Sequence, residues 1–108
     1  MSRSISERDW KVFREIRQAA LERLCDKILA EAKAEIDGPG TSSHERYLRL
    51  YKLMDRRDDD IARGFNDLRR STALMQMGII HSMGLFTAEE LRRLTPETLQ
   101  AIEVFTRA

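Results

Sequence analysis

The chain has 108 residues, of which 42% are hydrophobic and 34% are charged, and its formal net charge is +1. This length suits a single domain, because a second independent core would be too small to be stable. The near-neutral charge argues against a protein that binds nucleic acid or acidic membranes over its whole surface.

The single cysteine and the lack of long apolar runs predict the cellular compartment of the protein. Cys25 is the only cysteine, so an intrachain disulfide is excluded and a reducing compartment is expected. No apolar run approaches the roughly 20 residues that a membrane-spanning helix needs, and the first residues lack the apolar core of a signal peptide. The sequence therefore predicts a cytoplasmic protein without membrane association.

The first predicted element is a helix over residues 7–36, preceded by a mobile lead at residues 1–5. Ser6 lies three residues before Asp9, which is typical of a capped helix start. Gly38 is expected to end the helix in a left-handed conformation. The apolar residues cover more than half of the circumference, so this helix is expected to pack against two neighbours. They are Trp10, Phe13, Ile16, Ala20, Leu21, Leu24, Cys25, Ile28, Ala32 and Ile36.

A turn over residues 37–42 leads to a second helix, predicted over about 43–83. Ser42 and Glu45 have the spacing of a capping box. A helix of this length would extend about 60 Å, so it needs a partner along most of its length. Ten positions repeat with the 4-3-4-3 spacing of a helix packed lengthwise on another helix. They are Tyr47, Tyr51, Met54, Asp58, Ile61, Phe65, Leu68, Thr72, Met75 and Ile79.

The short connection predicts an antiparallel hairpin, in which the numbers of facing residues sum to about 78 or 79. This register places Arg17 within about one helical turn of Asp58, and we predict a largely buried ion pair that fixes the register. The sequence leaves open a break in the second helix between Asp58 and Gly64. Such a break would fold the same segments into a compact four-helix bundle.

Residues 85–108 are predicted to form two short helices that pack on the end of the hairpin. Gly84 is expected to end the second helix, Thr87 and Glu90 form a capping box, and Pro96 occupies the first position of the last helix. The predicted fold class is thus all-α, a single domain built on a long helical hairpin that dimerises into a helical bundle.

The candidate partner-binding residues lie in the methionine-rich segment that follows Thr72. Methionine-rich apolar surfaces make adaptable contacts with partner helices, although the terminal helices of the chain itself could also cover this segment as core. The wide apolar stripe of the first helix favours a second copy of the chain as its partner. We therefore predict a non-enzymatic, homodimeric module for protein interaction or regulation. The candidate residues are Met75, Met77, Ile80, Met83 and Phe86.

Two alternatives belong to other functional classes. A small helical enzyme or sensor would bind an anion between helices near Arg14, Arg17 and Lys27, with Asp58 as an acid or base. A nucleic-acid-binding protein would use the arginine doublets at 56–57, 69–70 and 92–93, but the glutamates near the last doublet would repel phosphate.

Neither a metal nor a cofactor is expected. Asp55, Asp58 and Asp59 share a helix face, but they lack the histidines that usually accompany carboxylates in a helical metal site.

Overall fold

The computed structural model describes residues 5–39 and 42–107, which are mostly helical and contain no strand. Helix α1 spans Glu7–Ile36, α2 spans Ser43–Phe65, α3 spans Ala73–Ser82, α4 spans Ala88–Arg92 and α5 spans Pro96–Arg107; a 3₁₀ turn at Arg70–Thr72 precedes α3. The molecule measures 54 × 27 × 23 Å. The all-α fold class, with a long N-terminal helix pair and short C-terminal helices, is confirmed. The predictions for residues 1–4, 40, 41 and 108 lie outside the described residues.

Helix α1 begins and ends where the sequence predicts, although the residue that caps its C-terminal end is not in the predicted conformation. The Ser6 hydroxyl accepts a hydrogen bond from the backbone N–H of Asp9 at 3.1 Å. Asp37, with a negative φ, is the C-cap, and Gly38 does not adopt the left-handed conformation predicted for it. Ile5, predicted as part of the mobile lead, is buried, and its carbonyl accepts hydrogen bonds from Arg70.

The hydrophobic core lies on one stripe of α1, at Phe13, Ile16, Ala20, Leu24 and Ile28. The C-terminal helices and the end of α2 complete it. Burial of such apolar side chains is the main source of stability in a domain of this size. The residues that pack on the stripe are Phe65, Ala73, Met77, Ile80, Leu85, Leu94 and Ile102.

The second helix is not continuous over 43–83, so that prediction is wrong. Helix α2 ends at Phe65, after which the chain turns and α3 runs back along the end of α2. A methyl group placed on Gly64 would lie 3.4 Å from Cγ1 of Ile80, whereas these positions would be about 24 Å apart in one straight helix. The reversal allows α3, which is apolar on nearly every side, to be buried against α1 and α5.

The first part of the predicted seam of α2 does not face α1, whereas Phe65 at its end is buried in the core. Tyr47 and Tyr51 are each 61% exposed, and Met54 is 44% exposed, whereas Leu53 is buried. The side of α2 nearest α1 also carries Arg57, which binds Glu31 of α1. Over Tyr47, Tyr51 and Met54 the regular spacing therefore describes a second apolar face of the hairpin.

The predicted buried ion pair between Arg17 and Asp58 is also wrong, because Asp58 is exposed. The Arg17 guanidinium donates instead to the backbone carbonyl of Phe65, and it lies over the Phe65 ring, 5.8 Å from the ring centroid. The last carbonyls of a helix carry a partial negative charge and have no partner within the helix. Arginine therefore supplies at the end of α2 the hydrogen bond that the broken helix lacks.

Two polar contacts fix the C-terminal helices on α1. The fully buried carboxylate of Asp9 accepts hydrogen bonds from the backbone N–H of Thr95 at 3.0 Å and from the hydroxyl groups of Thr95 and Thr98 at 2.6 and 2.5 Å. Further along α1, Arg23 binds Glu90 through two hydrogen bonds of 2.7 and 2.9 Å. Thr87 and Glu90 form the predicted capping box, and Gly84 adopts the predicted left-handed conformation with φ of 71°.

Candidate interaction site

An open groove of about 580 Å³ lies between α3 and α5, and we call it the α3–α5 groove. It forms because each helix has apolar residues on two sides, one buried in the core and one left at the surface. The core side of α3 carries Met77 and Ile80, and that of α5 carries Ile102. The groove is lined by Ser71, Leu74, Met75, Glu97, Gln100, Ala101, Val104 and Phe105.

Phe105 forms part of this groove because α3 has a glycine opposite it. The Phe105 ring occupies the space where a Cβ atom on Gly78 would lie, so any larger residue there would displace the ring. Phe105 is nevertheless 42% exposed, and Val104 beside it is 61% exposed. The groove thus presents a half-covered aromatic ring at its surface.

The predicted partner-binding residues are divided between the core and the surface. Met77 and Ile80 have no exposed surface and are core residues. Met83 and Phe86 are half-buried and pack against the core cluster. Only Met75 lines the groove, with 49% of its surface exposed. The spacing of 75, 77 and 80 explains this division, because residues two and five apart lie on different sides of a helix.

A second exposed apolar surface lies on the hairpin near the turn. Tyr47, Tyr51 and Met54 follow the four- and three-residue spacing of one face of α2, and Leu29 and Ile36 follow the seven-residue spacing of one face of α1. Ile36 and Tyr47 line the same shallow cleft, which joins the two faces. We call these five residues the tyrosine stripe; each is between 44% and 64% exposed.

The residues predicted to hold an anion do not converge. Arg14 lies over the Trp10 ring, 5.4 Å from the ring centroid, and Lys27 and Asp58 are exposed. Arg17 donates to the Phe65 carbonyl, whereas the anion-binding alternative requires an unpaired Arg17 that faces a cavity.

An ion-pair network joins α1 to α2 near the middle of the hairpin. Arg57 binds Glu31 through hydrogen bonds of 2.8 and 2.6 Å and binds Asp60 at 3.0 Å. The hydrogen bond from Arg57 lowers the pKa of Glu31 below its usual value. Burial raises the pKa of Asp60, but hydrogen bonds from Arg63 and Arg57 outweigh this effect and the pKa is lowered. Arg57 therefore serves as a link between helices.

Several doublet arginines are paired with acidic residues, which reduces the positive charge offered to a phosphate backbone. Arg70 binds Glu7 at 3.0 Å, and Arg93 binds Glu15. Both pairs connect the C-terminal part of the chain to α1. These arginines therefore make exposed ion pairs between separate parts of the fold, each of which contributes little to stability.

Neither metal-ligand geometry nor a membrane-spanning segment is found in the described part of the chain. Residues 5–39 and 42–107 contain no group of three or more histidine, cysteine, aspartate or glutamate side chains that could hold a metal ion. Likewise, no helix within these residues has the length and apolar character needed to span a bilayer.

Sequence reasoning missed the groove because two of its exposed residues, Val104 and Phe105, come from the last helix. Their neighbours Leu99 and Ile102 pack at or against the core, and the predicted role of this helix is only to cover the methionines. The sequence does contain a pattern that predicts this surface. Ala101, Val104 and Phe105 have the three- and four-residue spacing of a second apolar face on α5.

No protein-family model matches the chain, and no curated protein matches it in sequence. Among solved structures, the chain is similar to the Fluorescence Recovery Protein from Synechocystis sp PCC 6803, with a TM-score of 0.78 and 20% sequence identity. The match covers 95% of this chain and 98% of that chain. The structure of a point mutant of the same protein matches equally well. The two proteins therefore share a fold over nearly their whole lengths.

Proposed function

We propose that this chain is a non-enzymatic regulatory module that works as a homodimer and binds a protein partner in the α3–α5 groove. The observation that carries the proposal is the groove, whose sides present the half-exposed side chains of Met75 and Phe105. Exposed apolar surface of this kind is typical of protein-interaction sites, and methionine adapts to partner helices of different shape.

The groove chemistry favours an amphipathic helix as the bound element of the partner. Its walls are two helices, and a third helix can place its apolar face between them as in other helix-in-groove complexes. Glu97 lines the groove and introduces a negative charge among the apolar side chains. We expect a lysine or arginine on the partner helix at the position that meets Glu97.

The homodimer part of the proposal is supported by the tyrosine stripe. Contiguous exposed apolar surface is uncommon on monomers, and the stripe extends across both helices of the hairpin. A second copy offers an identical apolar surface, so pairing about a two-fold axis would cover both stripes at once.

A narrower form of the proposal concerns the kind of partner. The similar solved structure bears the name Fluorescence Recovery Protein, which describes a protein that acts in the recovery of fluorescence. We infer that a partner of this chain carries or controls a pigment, on the strength of the shared fold. Absorption spectra of proteins captured by the groove test this form, and a colourless set of partners would contradict it while leaving the wider proposal intact.

The partner site is tested by a pair of substitutions two residues apart on α3. Met75→Glu places a charge in the groove, so we expect it to abolish retention of partner proteins while leaving helix content and melting temperature nearly unchanged. Met77→Glu buries the same charge in the core and is expected to unfold the protein. Quantitative affinity capture from a native extract, with circular dichroism of each variant, provides both measurements.

Ala88→Glu is the matched control, because it adds the same charge at an exposed position of α4 outside the groove. We expect this control to retain every partner that the unmodified chain retains. Identical protein sets captured by the unmodified chain and by a folded Met75→Glu variant would contradict the proposal. Retention of nucleic acid that is lost in Arg56→Glu would favour the nucleic-acid alternative.

A further inference from the structure

The segment 66–69 that joins α2 to α3 interrupts a sequence suited to one helix. The seam spacing continues through it, at Phe65, Leu68 and Thr72, and neither proline nor glycine occurs between Gly64 and Gly78. Helix propensity and pattern therefore do not require the chain to turn here. The turn must be held by contacts elsewhere in the fold.

The backbone of this segment leaves helical geometry at Asp67. Its φ of 61° lies in the left-handed region, which aspartate enters more readily than most residues with a side chain but less readily than glycine. The next residue, Leu68, is 38% exposed although its position in the pattern is apolar. A straight helix would instead give Asp67 a negative φ.

Two side chains hold the turn, and each leaves a buried polar atom without a partner. Gln76 donates to the Asn66 carbonyl at 2.6 Å, while its Oε1 atom is buried and unpaired. Arg17 donates to the Phe65 carbonyl, while its Nε atom is buried and unpaired. In a continuous helix these two carbonyls would accept from backbone N–H groups four residues later, and both side chains would lose these hydrogen bonds.

We call the observed form, in which the chain reverses at segment 66–69, the turned form, and a form in which α2 and α3 are one continuous helix the straight form. The burial of α3 in the core opposes the straight form. Ala73, Met77 and Ile80 have no exposed surface in the turned form, and a straight helix would carry them away from α1 of the same chain. A straight form is therefore stable only if an equivalent α1 covers these residues. A second copy of the chain supplies that surface without any new contact type.

We propose that segment 66–69 is a domain-swapping hinge. In the swapped dimer, residues 43–82 form one helix about 60 Å long, and the C-terminal helices of each chain pack on α1 of the other. The apolar core contacts of the turned form are kept and the left-handed conformation at Asp67 is removed, at the cost of the hydrogen bonds that Arg17 and Gln76 make to the hinge. This exchange goes beyond the proposed function, because it uses neither the tyrosine stripe nor the α3–α5 groove.

The hinge is tested by two substitutions of Asp67 with opposite expected effects. Glycine adopts the left-handed conformation without strain and lowers helix propensity, so Asp67→Gly should favour the turned form. Alanine has the reverse preferences, so Asp67→Ala should favour the straight form. We expect the ratio of straight to turned chains to differ at least about tenfold between the two variants. Gln76→Leu removes one of the two side-chain contacts and should shift the ratio in the same direction as Asp67→Ala.

Pulsed EPR distances between labels at Arg63→Cys and Ser82→Cys report the hinge state, with Cys25 replaced by serine. The labelled positions are exposed and flank the contact between Gly64 and Ile80, so the turned form gives a short distance. The straight helix gives about 28 Å between the labelled backbone positions. Doubly labelled chains are refolded with an excess of unlabelled chains, so that each measured distance lies within one chain.

The proposal predicts that the long distance appears in Asp67→Ala or Gln76→Leu and increases with protein concentration, because exchange needs two chains. A short distance in every folded variant, at every concentration, would overturn it. A long distance that is independent of concentration would also overturn it, since it would indicate opening within a monomer. Should Asp67→Ala not fold, the comparison of Gln76→Leu with Asp67→Gly decides the question.

Discussion

At the scale of single residues, Asp9 shows how much a local sequence pattern can leave out. Its spacing from Ser6 correctly predicts the helix start, and the Ser6–Asp9 hydrogen bond is present. Its carboxylate, however, binds Thr95 and Thr98 at the start of α5. Nothing near Asp9 in the sequence identifies these partners, because they become neighbours only when α5 packs on α1.

We expect Asp9→Asn to lower the free energy of unfolding by about 2–3 kcal/mol, the usual effect of disturbing a buried, charge-assisted hydrogen-bond cluster. Asparagine has one acceptor oxygen where the carboxylate has two, and its amide N–H groups would face the donors of Thr95 and Thr98. Urea unfolding followed by circular dichroism measures the change. Glu7→Gln, an exposed substitution two residues earlier, is the control and should cost less than about 1 kcal/mol. Equal stability of the Asp9 and Glu7 variants would contradict this role for the carboxylate.

At the scale of helices, the sequence predicts starts and ends better than it predicts packing. The caps of α1, α2 and α4 depend on residues three positions apart, so local spacing is sufficient to find them. The break after Phe65 depends on Arg17 and Gln76, which reach its carbonyls from other helices. The seam pattern continues through the break, so it could not reveal that the chain turns.

The contact between α1 and α4 predicts how stability depends on pH. The hydrogen bond from Arg23 lowers the pKa of Glu90 below its usual value near 4.5. A carboxyl group whose pKa is lower in the folded state stabilises the fold above its unfolded pKa, and this contribution is lost as the pH falls through the folded value. We therefore expect the free energy of unfolding to decrease as the pH is lowered below about 4.5, and to decrease less in Glu90→Gln.

Urea titrations between about pH 3 and pH 7 at low salt measure this dependence, since exposed ion pairs are screened by salt. Glutamine at position 90 can keep the capping-box hydrogen bond to the backbone of Thr87, so the comparison isolates the charge on the side chain. Glu89→Gln removes the same charge from an exposed neighbour and serves as the control. If Glu90→Gln and the unmodified chain lost stability in parallel over this range, the assignment to Arg23 and Glu90 would fail.

At the scale of the whole molecule, two apolar surfaces lie at different places along its length. The tyrosine stripe is near the turn between α1 and α2, and the α3–α5 groove lies beyond the end of α2, which extends about 27 Å from Tyr47 to Phe65. The sequence predicts that a wide apolar surface needs a second copy, but it assigns the tyrosines to the contact within the hairpin. The difference arises because Leu53 and Arg57 lie on the side of α2 that faces α1, which leaves the tyrosines exposed.

The dimer is tested by Tyr51→Glu, in the middle of the α2 part of the tyrosine stripe. Tyr51 is 61% exposed in the single chain, so a charge there should leave the fold intact. In a dimer built on the stripe, two such charges would face an apolar partner, and desolvation should shift the assembly to monomer. Analytical ultracentrifugation over a range of concentrations measures the dissociation constant, which we expect to rise at least about tenfold, equivalent to 1.4 kcal/mol.

Ala34→Glu adds the same charge to α1 at an exposed position on the side opposite Ile36, and it should leave the dissociation constant unchanged. A Tyr51→Glu variant that remains dimeric would show that the stripe is not the contact between copies. In that case the hinge variants separate the remaining explanations, because a swapped dimer persists in Tyr51→Glu and decreases in Asp67→Gly. A dimer insensitive to both substitutions would require a surface other than the stripe or the hinge.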